Sequence, residues 1–376
     1  MNALYFIGVG QALFIAALIL TKPKIKRTDV ILLIWMLLNG CQIVFFYVNF
    51  VGATGRYLPL LLIGGTLQFL VAPLLFLYIK NLTETQFSLY RHWPHAVPFV
   101  LITTLFLYYI YVVPASGKIW VGEGFIHVYG GYPFILRNYS SLLAFSSFIY
   151  PVLGLVLLFK HKRKVLEEFS YKEEITLNWL RHWVILELVA FIISYVIIWA
   201  GALDFVDYLF SFHVVAFLVL LNVFIVGLFG LRQPEIFYEQ QEEFVEKTKY
   251  RTSTLNSNAA REIVETLQGH MEKHRPYLNQ KLGILDLAEE LSISKHHLSQ
   301  ALNDDLATNF YDFVNGYRVE AFKNAIRNPA NKNLTLLGIA FDCGFNSKST
   351  FNSIFKKREG MTPSAYKTQT ENSGRK

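Results

Sequence analysis

Charge is scarce in this 376-residue chain: Asp, Glu, Lys and Arg supply 17% of its residues, and the deficit falls almost wholly before residue 230. Soluble domains carry about 25%, so the first part cannot be read as an ordinary water-soluble fold. Cysteine is nearly absent. Cys41 and Cys343 stand in different halves, which excludes a disulfide framework and a thiolate metal cluster. Missing too are an HExxH helix, a G-x-S-x-G elbow and a glycine-rich phosphate loop, so no catalytic residue, metal ligand set or cofactor is assigned. His92 and His95 flank Trp93 and Pro94 in a loop, and without a carboxylate partner they read as solvated histidines. The first apolar run has neither a basic segment before it nor a small-residue cleavage site after it, so it is expected to stay as an anchor.

What is present is hydrophobic: 53% of residues are apolar and 16% are aromatic. About 20 apolar residues are needed to cross a bilayer as a helix, because backbone polar groups have no partner in lipid. Seven runs meet that length, near Ala3 to Leu20, Val30 to Phe50, Leu58 to Ile79, Ala96 to Val113, Tyr139 to Phe159, Val184 to Leu203 and Tyr208 to Gly230. Lys and Arg beside span ends are retained in the cytoplasm. The first, third and fifth connections hold Lys22, Lys24, Lys26, Arg27, Lys80, Arg91, Lys160, Lys162, Arg163, Lys164, Lys172 and Arg181; the second, fourth and sixth hold Arg56, Lys118 and Arg137. This asymmetry predicts an outside N-terminus and a cytoplasmic C-terminal domain, in the inner membrane of a bacterium. The fourth connection, Pro114 to Asn138, carries Trp120, Glu123 and His127 and is expected to cap the outer side.

Polar side chains inside spans are costly in lipid and so mark either interhelical hydrogen bonds or a signal site. Glu187, near the cytoplasmic start of the sixth run, leads the sensing candidates. Asn39, Gln42 and Asn49 on the second run, Gln68 on the third, and His213 and Asn222 on the seventh complete the set. Trp93, Trp120, Trp183 and Trp199 lie at run ends, where an interfacial belt accounts for them.

Composition then turns polar. Residues 231–259 read as a cytoplasmic linker, opening with Gln233-Pro234 and the acidic residues Glu239, Glu242, Glu243 and Glu246. Ile263, Val264, Leu267 and Met271 recur at helical spacing and predict an amphipathic helix over 260–274, packed on the following domain or on a second subunit. From Ile284 to Leu302 the apolar positions suit two short helices meeting at a turn, with Ser294 capping the second. That arrangement recurs from Thr335 to Lys357, where Thr335 and Ser347 are the caps and Cys343-Gly344 the turn. Phe310 to Arg327 predicts one long helix joining the two. Helix-turn-helix geometry puts the second helix of each unit in a major groove, so a rigid connector lets one chain address successive grooves about 34 Å apart.

Residues 260–367 resemble the C-terminal DNA-binding domain of AraC-type (AraC/XylS) transcription regulators. The likeness is densest at Ile339-Ala340, Gly344-Phe345, Ser347 to Phe351, Phe355-Lys356, Gly360 and Thr362-Pro363, and extends to Leu287-Ala288, Leu291, Ser294, Leu298-Ser299 and Tyr317-Arg318. Ala301, Ala307 and Gln300 depart from it, standing where bulkier residues, Gly and Arg are common. The resemblance implies DNA contacts from Lys295, His296, Ser299 and Gln300 in the first unit and from Lys348, Ser349, Thr350, Asn352, Ser353 and Lys356 in the second. Lys357 and Arg358 are phosphate neighbours or solvated charge.

The expected architecture is therefore all-α: a seven-helix transmembrane bundle over 1–230, then a cytoplasmic domain over 260–376 with two helix-turn-helix units joined by a long helix. The expected function is that of a membrane-anchored one-component transcription regulator. Its expected partners are double-stranded DNA, the lipid bilayer, RNA polymerase, an unidentified ligand or membrane signal, and a second copy in a homodimer. The alternative is a transporter or membrane enzyme whose turnover controls the attached DNA-binding domain.

Overall fold

A computed structural model describes residues 2–51, 58–84, 87–111, 119–122, 125–128, 139–172, 175–203, 205–230 and 256–373. Two compact units emerge, one comprising Met1–Phe159 and Leu177–Gln241 and the other Lys160–Thr176 and Glu242–Lys376.

In the first unit the expected apolar runs form helices over their described residues. The helices are α1 (Asn2–Leu20), α2 (Arg27–Phe50), α3 (Leu58–Thr83), α4 (Val97–Tyr111), α5 (Tyr139–Glu168), α6 (Asn178–Ala202) and α7 (Tyr208–Gly230), with a 3-10 turn at Leu89–Ala96. The last nine residues of α5 belong to the other unit. Five of the helices are long and apolar enough, over their described residues, to cross a membrane: those at Ala3–Leu20, Arg27–Val48, Gly64–Thr83, Ser141–Glu168 and Asn178–Gly201. The described apolar stretch of α7, His213–Gly227, is shorter. At 15 residues, α4 rises about 22 Å, less than the roughly 30 Å of a hydrocarbon core.

The described residues are not all helical. Ile119–Gly122 and Phe125–Val128 pair as an antiparallel hairpin inside the fourth connection. The rest of that connection, and 231–255 of the expected linker, lie outside the described residues.

Packing in this unit centres on α2, which meets α1, α3 and α7, while α7 also meets α1 and α6. Trp35 and Met36 are buried at its middle, and Trp35 meets Trp183 edge-on at 5.2 Å between ring centroids. α1 and α7 approach closely at Gly227, where a Cβ would lie 2.0 Å from Ile15 Cδ1. On the outer faces the pattern inverts. Phe145, Phe148 and Val156 on α5, and Ile192, Ile193, Val196 and Trp199 on α6, are exposed. An apolar exterior of that kind suits lipid rather than water.

The second unit is built from α8 (Ser257–His274), α9 (Ile284–Glu290), α10 (Lys295–Asp304), α11 (Phe310–Arg327), α12 (Leu336–Asp342), α13 (Lys348–Glu359) and α14 (Pro363–Ser373). The amphipathic helix expected near 260–274 buries Val264, Leu267 and Met271 against its own domain. Two cores follow one another along α11. Phe310, Phe313 and Val314 join Leu287, Leu298 and Leu302 in the first; Val319 and Phe322 join Ile339, Phe345, Phe351 and Phe355 in the second.

Candidate nucleic-acid interface

Local chemistry sets the helices of each two-helix unit. Ser294 Oγ accepts the backbone N–H of His297 at 3.1 Å, Thr335 Oγ1 that of Gly338 at 3.0 Å, and Ser347 Oγ that of Thr350 at 3.1 Å. These are the three caps expected from sequence, and each satisfies a donor the helix itself cannot. The turns differ. Between α9 and α10 Ser292 takes a left-handed conformation at φ 56°, whereas between α12 and α13 it is Gly344, at φ 93°. A Cβ on Gly344 would sit 2.1 Å from the Tyr277 carbonyl oxygen, so backbone contact as well as conformation demands glycine there. Ala307, after α10, is also left-handed, at φ 47°, which accounts for glycine being common at that position in the resembled family.

On α10 the expected contact residues are in mixed states. His296 is exposed, and Lys295, Ser299 and Gln300 are half-buried. Gln300 donates to Asp304 at 3.1 Å, and the Ser299 carbonyl accepts from Asn303 at 2.8 Å. Lys295 Nζ lies 2.6 Å from Glu168. On α13, Lys348, Ser349, Asn352, Ser353 and Lys356 are all exposed. Thr350 is not: expected among the outward positions, it is 2% exposed and packs with Phe351, Ile354 and Phe355 on the inward face. Lys357 pairs with Asp312 at 3.2 Å, and Arg358 donates to the Asp312 carbonyl at 3.1 Å, so both fasten α13 to α11. Lys323 adds a third tie, to Glu320 at 2.9 Å and Glu359 at 3.2 Å; the Glu320 hydrogen bond leads in holding its ammonium above the usual lysine range.

On the long helix α11 lies Arg318, 1% exposed. Its Nε donates to the Tyr277 carbonyl at 2.8 Å. Nη1 donates to the Ser170 carbonyl at 2.9 Å and to Asn315 Oδ1 at 3.2 Å, and Nη2 donates to Ser170 Oγ at 2.9 Å and to the Asn279 carbonyl at 2.7 Å. These acceptors are neutral, so oriented dipoles contribute to holding the charge. Sequence reasoning placed Arg318 only as part of a family pattern and gave Ser170 and Glu168 no role. A cation within the apolar periodicity of Val314, Tyr317 and Val319 was the available signal for Arg318; Ser170, far away in the chain, offered none.

The sensing candidates are brought together only in part. Asn222 Nδ2 on α7 donates to Glu187 Oε2 on α6. Asn39, buried, bonds back to the Trp35 carbonyl of its own helix at 2.8 Å. Gln42 is buried, Gln68 half-buried, and the His213 ring meets Tyr5 at 6.3 Å between centroids. The Asn49 side chain lies outside the described residues. His95 Nδ1 is 2.8 Å from Tyr150 Oη and its ring stacks on His92; burial pushes both imidazoles below the usual histidine range. Among the described residues no three His, Cys, Asp or Glu side chains gather as a metal site.

Residues 287–369 match a family model described as a helix-turn-helix domain. Over 142 residues the chain is 25% identical to the HTH-type transcriptional regulator CdhR of Pseudomonas aeruginosa, covering 35% of this chain and 39% of that one. Over 110 residues it is 26% identical to the protein named Probable transcription factor PqrA of Proteus vulgaris, covering 29% of this chain and 84% of that one. An HTH-type transcriptional regulator of Staphylococcus aureus is 26% identical over 115 residues, 31% of this chain and 14% of its own length. The chain thus spans well under half the length of two of these three relatives. No solved structure matches it.

Proposed function

We propose that this chain is a membrane-anchored one-component transcription regulator that binds DNA in sequence-specific fashion through 260–376 and senses a signal through its apolar helices. The C-terminal segment is a helix-turn-helix domain of the AraC type, and its similar proteins are transcription regulators. The observation that carries the specific reading is α13: a capped helix with Phe351, Ile354 and Phe355 inward and Lys348, Ser349, Asn352, Ser353 and Lys356 outward. Lys serves guanine acceptors or phosphates and Asn serves adenine, so this face is chemically matched to a major groove.

The membrane reading is supported by helices of spanning length whose exterior is apolar, and the basic residues of the odd-numbered connections favour a cytoplasmic reading domain. Seven spans, an outside N-terminus, and RNA polymerase and a second copy as partners belong to this proposal. Glu187 and Asn222, joined between α6 and α7, are the foremost sensing pair.

The test is selection from random duplex DNA by the full chain in lipid nanodiscs. One enriched motif is expected, with Lys348→Gln weakening binding to it severalfold and Asn352→Ala relaxing one base position by about 1–3 kcal/mol. Selection that enriches nothing, or a motif indifferent to both substitutions, would refute the assignment. Topology is checked separately with C-terminal fusions active only on one side of the membrane.

A further inference from the structure

The segment running from the end of α5 toward α6 connects two apolar helices in the chain, yet it is embedded in the DNA-reading unit. Leu166 packs against the second core. Phe169 pairs as a β-bridge with Gly283, at the entrance to α9. Ser170 donates its backbone N–H and its hydroxyl to the Leu282 carbonyl, at 3.1 and 2.7 Å. Its own carbonyl accepts from Asn315 Nδ2 at 3.0 Å and from Arg318 at 2.9 Å. Lys172 lies over the Tyr311 ring, 5.3 Å from its centroid. His161 closes the segment from within by donating to the Ile175 carbonyl at 2.8 Å.

One contact falls on the reading surface itself. Lys295 is the first residue of α10, the end at which a recognition helix meets DNA, and its ammonium is held by the Glu168 carboxylate at 2.6 Å, both groups being mostly sheltered. A phosphate approaching Lys295 would meet a carboxylate already in place and be repelled by it.

We propose that residues 165–172 form an autoinhibitory strap. With Glu168 on Lys295 the first reading helix is masked, and displacement of the strap by the helices it joins unmasks it. Because α5 is continuous from Tyr139 to Glu168, a shift or rotation along that helix reaches Glu168 directly. Ser170 supplies the latch: its carbonyl and hydroxyl both accept from Arg318, so the strap is held firmly at one residue and acts at another two positions away. This inference rests on the DNA-binding function proposed above and adds to it how the first unit is regulated.

The experiment measures the affinity of the full chain, in nanodiscs of phosphatidylethanolamine and phosphatidylglycerol, for a pool of random 30-base-pair duplexes as salt is varied. Each phosphate neutralised contributes about 0.9 to the slope of log affinity against log salt. Glu168→Gln is therefore expected to steepen the slope by about one and to tighten binding roughly tenfold at about 0.1 M salt. Adding Lys295→Gln should abolish both gains. Ser170→Ala, which leaves Glu168 in place but weakens the latch, should move affinity in the same direction and serves if the first variant fails to fold. Native affinity and slope in both single variants, or a gain that survives Lys295→Gln, overturns the strap. Absence of DNA binding by native and variants alike overturns the DNA-binding function itself, and the strap with it.

Discussion

Replacing Arg318 by Met tests whether this buried cation organises the reading unit. The native guanidinium donates to the carbonyls of Tyr277, Asn279 and Ser170, to Ser170 Oγ and to Asn315 Oδ1. Bonds to a charged donor contribute about 1.5–3 kcal/mol each, and burying the guanidinium costs several kcal/mol in return. Met fills much of the volume and removes that desolvation cost, but it strands carbonyl oxygens in a site that excludes water, at about 1–3 kcal/mol apiece. The balance is a loss of about 3–5 kcal/mol. Hydrogen exchange of the full chain, followed by mass spectrometry over 277–327, reads it directly. Amides that exchange through global opening of this unit should do so about a hundred to several thousand times faster, at about 1.4 kcal/mol per decade. Arg318→Lys should recover less than half, because a point charge cannot serve the same acceptors. Exchange within about fivefold of native in the Met variant, equivalent to roughly 1 kcal/mol, would refute the reasoning.

Gly344→Ala should destabilise the same unit by about 3–5 kcal/mol, since its Cβ would lie 2.1 Å from the Tyr277 oxygen that Arg318 also uses and the residue is left-handed; a double-mutant cycle with Arg318→Met should be strongly non-additive. Ala307→Gly should stabilise by about 0.5–1 kcal/mol, because relief of a left-handed alanine at about 1–2 kcal/mol exceeds the added freedom of glycine when unfolded; thermal unfolding of the reading unit is the check. Burial pushes the Cys343 thiol up to about 11. Its neutral form is favoured by folding, so this contribution is full below the ordinary thiol range and is lost as pH rises toward about 11. Iodoacetamide at pH 8 should leave Cys343 unmodified until the chain is denatured.

Much of the fold was legible because its determinants are local. Helix caps at Ser294, Thr335 and Ser347 and the run from Phe310 to Arg327 depend on neighbours a few residues away, and the structure places them as the sequence implied. Thr350 was misread although the signal was present: it stands four residues before Ile354 and beside Phe351, on the apolar stripe rather than opposite it. The hairpin at 119–128 was obscured by its position in a connection where turn residues and aromatics mix. Ser170 and Glu168 were illegible for a different reason. Ser170 reaches Arg318 across 148 positions of sequence, and nothing in an isolated serine announces a partner that distant. Such contacts arise when the chain folds back, which periodicity cannot encode.

The two reading helices consequently differ in a way their similar sequence layout conceals. On α13 the outward residues are exposed, and the nearby Lys357 and Arg358 are engaged on α11 without covering that face. On α10 the leading cation is engaged by Glu168, and its outward residues are only half exposed apart from His296. A double reader in which one helix is open and the other is held by a strap need not dissociate to be regulated. On the proposed function, the open helix would supply basal affinity through contacts to DNA phosphates, and release of the other would add roughly a decade per phosphate contacted at about 0.1 M salt, together with the base contacts of a second groove. On that same function, displacement of the strap would change how much of a site is read rather than whether DNA is held.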